Sequence, residues 1–185
     1  MRAQWTIGAA ILGGAATLLL ADPAEAASVG RCGGGGAQHV KTLSCPAGKY
    51  VVGLFARGNP IGYVDRVGIS CASFNASGVR GTPGQFQIAG GAGGSSSRTQ
   101  TCEGNRAVTH IAVSAGSYVD KVHSIFCLKR QAQGGFGQSG DILDLKVGGI
   151  GGGFCVVDCP DGEAMHKLVV RYGDWIDSIE GFCKP

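Results

Sequence analysis

Charge and aromatic side chains are scarce in this chain: 16% of its 185 residues are charged and 7% are aromatic. Soluble domains ordinarily carry about a quarter charged residues, so the Glu-, Lys- and Arg-rich faces of long amphipathic helices cannot be assembled from this composition. A formal net charge of +3, with no Lys/Arg cluster, lacks the cationic footprint with which nucleic-acid binders neutralise phosphates. The one long apolar run, residues 5–20, is too short for a comfortable bilayer span. Glycine and cysteine are plentiful instead, with 34 and eight residues, which is a composition of tight turns and cross-links.

The apolar run follows Arg2 and leads to Ala24-Glu25-Ala26, a small-x-small cleavage site. Together these read as a secretory signal peptide over residues 1–26 rather than an uncleaved anchor. The expectation is a secreted or periplasmic protein in which residues 27–185 form one domain and no segment inserts in a membrane. All eight cysteines lie in that domain, where export permits disulfides.

A threefold internal repeat organises this domain. Cys45, Cys102 and Cys159 are spaced 57 and 57 residues apart, and glycine runs begin at Gly33, Gly90 and Gly148. Each copy (approximately 30–76, 86–130 and 141–185) has a glycine run, a Cys, a short apolar stretch, a turn ending in Asp and a closing Cys. The turns read Gly62-Tyr63-Val64-Asp65, Gly116-Ser117-Tyr118-Val119-Asp120 and Gly173-Asp174-Trp175-Ile176-Asp177. Apolar stretches such as 108–113 and 119–125 are short, β-branched and bounded by Gly, Ser or Asn, and none keeps a 3.6 period over a helix length. The reading is all-β: three small antiparallel sheets packed about a pseudo-threefold axis, with residues 141–147 a strand into the third glycine run. The polar connectors 77–85 and 131–140 read as exposed loops.

Eight cysteines allow about 105 pairings, and the repeat narrows them. One Cys before the central strand and one after the turn of each copy predict Cys45–Cys71, Cys102–Cys127 and Cys159–Cys183. The remaining Cys32 and Cys155 flank the first and third glycine runs and would clamp the N-terminal strand to the last copy. Zinc would need closely paired ligands, and only Cys155 and Cys159 approach that spacing, without a second pair. His39, His110, His123 and His166 occupy non-equivalent repeat positions and do not suggest a metal set. No cofactor is expected.

A Gly-Gly-x-Gly-Gly run, a strand and a Gly-x-x-x-Asp turn with an aromatic residue two before the Asp, three times over, resemble the jacalin-related β-prism lectins. The organisation is similar to griffithsin-like members, in which all three copies keep both motifs, and the resemblance spans Gly30 to Pro185. It implies a β-prism of three four-stranded Greek keys, with calcium-independent binding of mannose- or glucose-type glycans by the loops at one end. The cysteine framework departs from plant members and suggests a disulfide-reinforced branch. The implied carbohydrate-binding residues are Gly173, Asp174, Trp175 and Asp177; Gly116, Ser117, Tyr118 and Asp120; Tyr63 and Asp65; and the glycine loops at Gly33, Gly36, Gly90, Gly94, Gly148 and Gly152.

The chemistry of such a site can be argued from the residues. A sugar offers neighbouring hydroxyls, so a site needs a charged acceptor and several donors at short spacing. Asp177 reads as an exposed carboxylate able to accept from two hydroxyls, and charge-assisted hydrogen bonds are the stronger kind. Amides of the turn at Asp174 and Trp175 form a nest aimed at the same oxygens, and Trp175 shapes the pocket edge. Copy one departs from the pattern. Cys45 to Asp65 spans two residues more than the other copies, the insertion falling around Gly58-Asn59-Pro60-Ile61 and leaving Ile61 at the motif's glycine position. Pro60 lacks a donor, so this site ranks third.

Two other function classes stand behind the lectin. A secreted structural or coat β-prism without sugar binding, like the egg vitelline-membrane outer-layer proteins, is the alternative. An enzyme is the weakest reading: glycosidases set two carboxylates within about 10 Å, whereas the repeat places its Asp residues in separate copies, and no Ser-x-x-Lys or Gly-x-Ser-x-Gly motif is present.

Overall fold

The computed structural model describes residues 28–185; the signal-peptide assignment lies outside them. Twelve strands make up the described chain: β1 (Ser28–Gly33), β2 (His39–Ser44), β3 (Lys49–Gly58), β4 (Val64–Ser73), β5 (Gln87–Gly90), β6 (Ser96–Thr101), β7 (Arg106–Ala115), β8 (Val119–Arg130), β9 (Phe136–Gly148), β10 (Gly153–Asp158), β11 (Ala164–Tyr172) and β12 (Ile176–Lys184). They form three four-stranded antiparallel sheets in the orders β5-β4-β3-β6, β10-β7-β8-β9 and β1-β12-β11-β2. Each sheet has a central hairpin, β3–β4, β7–β8 or β11–β12, closed by one of the three Asp turns. Two outer strands joined by a glycine loop flank it.

The sheets do not follow the sequence copies. β5 and β6 belong to copy two but pair with the copy-one hairpin, and β9 and β10 of copy three pair with the copy-two hairpin. The copy-one outer strands β1 and β2 pair with the last hairpin, so the N-terminus closes the ring. Each hairpin also carries a bulge at the same repeat position, Val52, Thr109 or His166. The carbonyls of these residues accept hydrogen bonds from the amides of Cys102, Cys159 and Cys45 at 2.8, 3.0 and 2.9 Å. A bulge leaves one residue unpaired in its ladder, and here the freed carbonyl anchors the chain as it leaves one sheet for the next.

All four disulfides form as the repeat predicts, with Cα–Cα distances of 5.6 to 5.8 Å. Cys45–Cys71, Cys102–Cys127 and Cys159–Cys183 each tie the end of one sheet's outer strand to the next sheet's hairpin, and Cys32–Cys155 joins β1 to β10. The cystines lie within the single main core, beside Leu43, Leu54, Ile69, Ile111, Ile125, Leu145, Leu168, Ile176 and Ile179. Burying each such aliphatic side chain contributes roughly 1.5–3 kcal/mol, and none of the three sheets could cover its inner face alone.

Residues 131–140 are not wholly an exposed loop. Gly134 and Gly135 take positive φ (94° and 71°) and turn the chain so that β9 begins at Phe136, which is 4% exposed. It packs against Tyr50 (centroids 5.1 Å apart) and Phe74 (5.8 Å). Tyr50 occupies the repeat position held by Ala107 and Ala164, so one ring and two methyl groups leave room at the axis, and Phe136 fills it. A single aromatic residue in a polar run carries no periodic signal by which sequence reading would find it.

Candidate functional site

The three Asp turns gather at the prism end opposite Tyr50. Their aromatic residues meet there: Tyr63–Tyr118, Tyr63–Trp175 and Tyr118–Trp175 have centroid separations of 4.9, 5.0 and 5.4 Å. The copy-one insertion does not displace its ring, because the Asn59 amide bonds the Tyr63 carbonyl at 3.1 Å. Gly116 to Tyr118 and Gly173 to Trp175 make the corresponding closures, both at 2.9 Å. The extra residues bulge outward instead.

Each glycine loop lies on the Asp of its own sheet, which is the turn of the preceding copy. Gly34, Gly91 and Gly149 donate to the backbone carbonyls of Asp177, Asp65 and Asp120 at 3.0, 2.8 and 2.9 Å. The glycine before each has φ between +107° and +120°, and a Cβ on Gly33, Gly90 or Gly148 would stand 2.1 to 2.2 Å from the same carbonyl. Only glycine meets both demands. The loops also reach sideways to a third copy: Cβ atoms on Gly34, Gly91 and Gly149 would stand 2.5, 2.3 and 2.4 Å from the carbonyl oxygens of Ser117, Asp174 and Gly62. Each site is therefore composite. The Asp177 site takes its loop from copy one and its neighbouring turn from copy two.

The carboxylates are more enclosed than their reading as exposed acceptors implied: Asp65, Asp120 and Asp177 are 5%, 8% and 4% exposed, because the loops cover them. The covering differs between sites. A Cβ on Gly93 or Gly94 would stand 2.2 or 3.0 Å from an Asp65 carboxylate oxygen, and one on Gly151 or Gly152 2.5 Å from Asp120, whereas one on Gly36 would make ordinary contact with Asp177 at 3.8 Å. Gly36 thus leaves more room beside its carboxylate than the equivalent glycines do, although Asp177 is the least exposed of the three acids. Between this loop and the carboxylate is a dish of about 120 Å³ lined by Gly36, Gln38, Tyr118, Gly173, Asp174, Trp175 and Asp177. Gln38 carries no motif signal, and the turn motif would place Tyr118 with Asp120 rather than here.

The Asp65 site is held shut by two arginines that sequence reading also missed. Arg57 Nε donates to the Gly94 carbonyl at 2.8 Å and Arg66 Nε to the Gly91 carbonyl at 2.7 Å. Neither arginine recurs at both equivalent positions, so the repeat pattern is blind to them. Burial pushes the Asp65 carboxyl above its ordinary range, with Arg57 and Arg66 pulling the other way, and Asp65 Oδ2 has no hydrogen-bond partner among the described residues. Of the histidines, His39 packs on Tyr172, His110 pairs with Asp158 at 2.8 Å, and His123 bonds Ser114 at 2.8 Å. No group of three or more potential metal ligands is found among the described residues.

No protein-family model matches the sequence, and no curated protein does. The three-sheet prism itself is shared with solved lectin structures. Malaysian banana lectin aligns with a TM-score of 0.60 at 18% identity, covering 86% of this chain and 99% of its own. The Calsepa lectin in complex with biantennary N-glycan gives 0.58 at 16%, covering 89% and 99%. Single-chain recombinant jacalin gives 0.60 at 11%, covering 90% and 99%. The fold is the jacalin-like β-prism that the motifs implied.

Proposed function

We propose that this protein is a secreted carbohydrate-binding lectin that holds mannose- or glucose-type glycans without chemical turnover. The observation that carries this reading is the dish over Asp177, where a buried carboxylate, the turn at Asp174 and an exposed indole edge meet under a loop whose Gly36 leaves room beside the acid. A carboxylate lining the dish accepts from adjacent sugar hydroxyls, turn amides donate to their oxygens, and a ring covers the apolar face of the pyranose. The Asp120 site follows, and Asp65, beneath a loop pinned by Arg57 and Arg66, ranks third. The acceptor is a carboxylate rather than a bound cation, so binding is expected to survive chelator. The likeness to lectin structures, one of them holding an N-glycan, supports the reading, and four disulfides suit an oxidising, extracellular compartment.

The experiment is intrinsic fluorescence. The chain's two tryptophans are Trp5, in the expected signal segment, and Trp175, so a chain beginning at residue 27 carries its only indole in the dish. Titration with methyl α-mannoside and a branched oligomannoside in the presence of chelator should shift Trp175 emission. The monosaccharide should bind in the millimolar range, about −4 kcal/mol, and the branched glycan up to about 10²-fold more tightly through a second site. Absence of binding to either, or to any sugar on a glycan array, would leave the structural coat protein as the better reading.

A further inference from the structure

The sideways contacts of the glycine loops place the effect of the copy-one insertion at the Asp120 site rather than at the Asp65 site. Gly149 donates to the Gly62 carbonyl at 2.9 Å, and a Cβ on Gly149 would stand 3.0 Å from the carbonyl carbon of Ile61. Ile150 follows directly, and Gly151 after it comes so close to Asp120 that a Cβ there would stand 2.5 Å from Oδ1. Ile150 thus follows a residue held against the inserted segment and precedes one held against the carboxylate, with its own side chain open to solvent. Ile61 is 90% exposed and Ile150 94%, more than any other large apolar residue described.

The equivalent positions of the other two sites hold no large apolar side chain. Ile150 stands where the other loops have Gly35 and Ala92, and Ile61 where the other turns have Gly116 and Gly173. Single exposed apolar residues on a protein surface are ordinary. Here two isoleucines from different copies are carried by neighbouring backbone segments beside one carboxylate site, both open to solvent, and in the free protein their burial contributes nothing to the fold. The Asp177 dish is edged by Gln38 and Asp174, which suit an unsubstituted hexose with hydroxyls on every side.

We propose that the Asp120 site selects a pyranose bearing a methyl group, either the 6-deoxy carbon of a deoxyhexose or an O-methyl substituent, with ring hydroxyls on the Asp120 carboxylate and the methyl against Ile61 and Ile150. The inference rests on the lectin reading of the site. Removing one methyl group from water strengthens binding about fourfold.

The test uses an Asp65→Asn, Asp177→Asn chain, in which Asp120 is the remaining acid of the three. Calorimetry compares L-rhamnose with L-mannose, which differ only by the 6-hydroxyl, and 3-O-methylmannose with mannose. At least one methyl-bearing sugar should bind about fourfold more tightly than its parent, the pair that responds telling which kind of methyl is read. Adding Ile61→Ser and Ile150→Ser should make the two members of that pair equal. Parent and methyl-bearing sugars held equally would overturn the inference and leave the lectin reading standing, as would a preference that survives both serine substitutions. If the unmutated protein binds none of the four sugars, the lectin reading fails and takes this inference with it. Should the double-Asn chain not fold, amide shifts of Gly149–Gly152 against the Trp175 indole resolve the two sites in the unmutated protein, with the same expectation for the preferred sugar at the 149–152 loop.

Discussion

The two ends of the prism close the same pseudo-threefold axis in different ways. At the turn end each copy supplies one ring, and Tyr63, Tyr118 and Trp175 meet at 4.9 to 5.4 Å with Trp175 still 39% exposed. At the other end the repeat supplies Tyr50 with Ala107 and Ala164, and Phe74 and Phe136 from outside the repeat pattern complete the packing. There the Tyr50 hydroxyl bonds the Pro185 carbonyl, and the Arg130 guanidinium lies 5.3 Å from the Tyr50 ring and 4.9 Å from the Phe136 ring. A closed end must fill its volume to near-crystal density, and unequal side chains can do so where three equal ones cannot. An open end has no such demand, so three rings can splay and present their edges. Repetition survives where solvent relieves the packing and gives way where it does not.

This contrast predicts its largest effect at the closed end. Tyr50→Ala should cost about 3–5 kcal/mol in urea unfolding, as truncation of a buried aromatic does, whereas Tyr118→Ala should cost about 1 kcal/mol per lost ring pair. The opposite order would break the comparison. Next in size are the links between sheets. Replacing Cys102 and Cys127 together by Ser should remove about 2–4 kcal/mol, seen as a lower melting temperature, with the Trp175 response to glycan retained below the transition.

At the open end the effects should fall on binding. Asp177→Asn keeps the shape of a buried side chain and removes its charge. It should cost the Asp177 site about 1.5–3 kcal/mol, the worth of a hydrogen bond to a charged group, read as loss of the Trp175 fluorescence change. Asp65→Asn should leave that change intact. The smallest effect is on stability against pH. Burial raises the folded-state pKa of Asp65 above its ordinary value of 3.8, so its contribution to stability is present below that value and lost as the pH rises through the folded-state pKa. Asp65→Asn should therefore melt slightly above the unmutated protein at pH 7, with the gain vanishing near pH 3. Equal melting temperatures at pH 7 would mean that Arg57 and Arg66 offset the burial in full.

Much of this was legible in the chain. The 57-residue spacing of Cys45, Cys102 and Cys159, the β-branched stretches and the Asp turns pointed to three sheets about an axis and to all four disulfides. Phe136 was hidden because one aromatic residue has no period, and Arg57, Arg66 and Gln38 because none of them recurs in all three copies, as the repeat would need. The partnership of each glycine loop was hidden for a different reason. A loop midway between two turns in sequence can fold onto either, and linear spacing does not say which sheet its flanking strands will join.

What the sequence determined alone is therefore what depends on local order and periodicity: strand-forming stretches, turns that only glycine permits, and cysteines in register. What tertiary structure decided is the frame in which these parts are assembled. β1 and β2 pair with β11 and β12, Gly34 reaches both Asp177 and Ser117, and the insertion at Ile61 comes to lie beside Ile150. Strand pairing is chosen by which faces can be buried together, a condition on the whole closed ring of twelve strands that no single repeat contains.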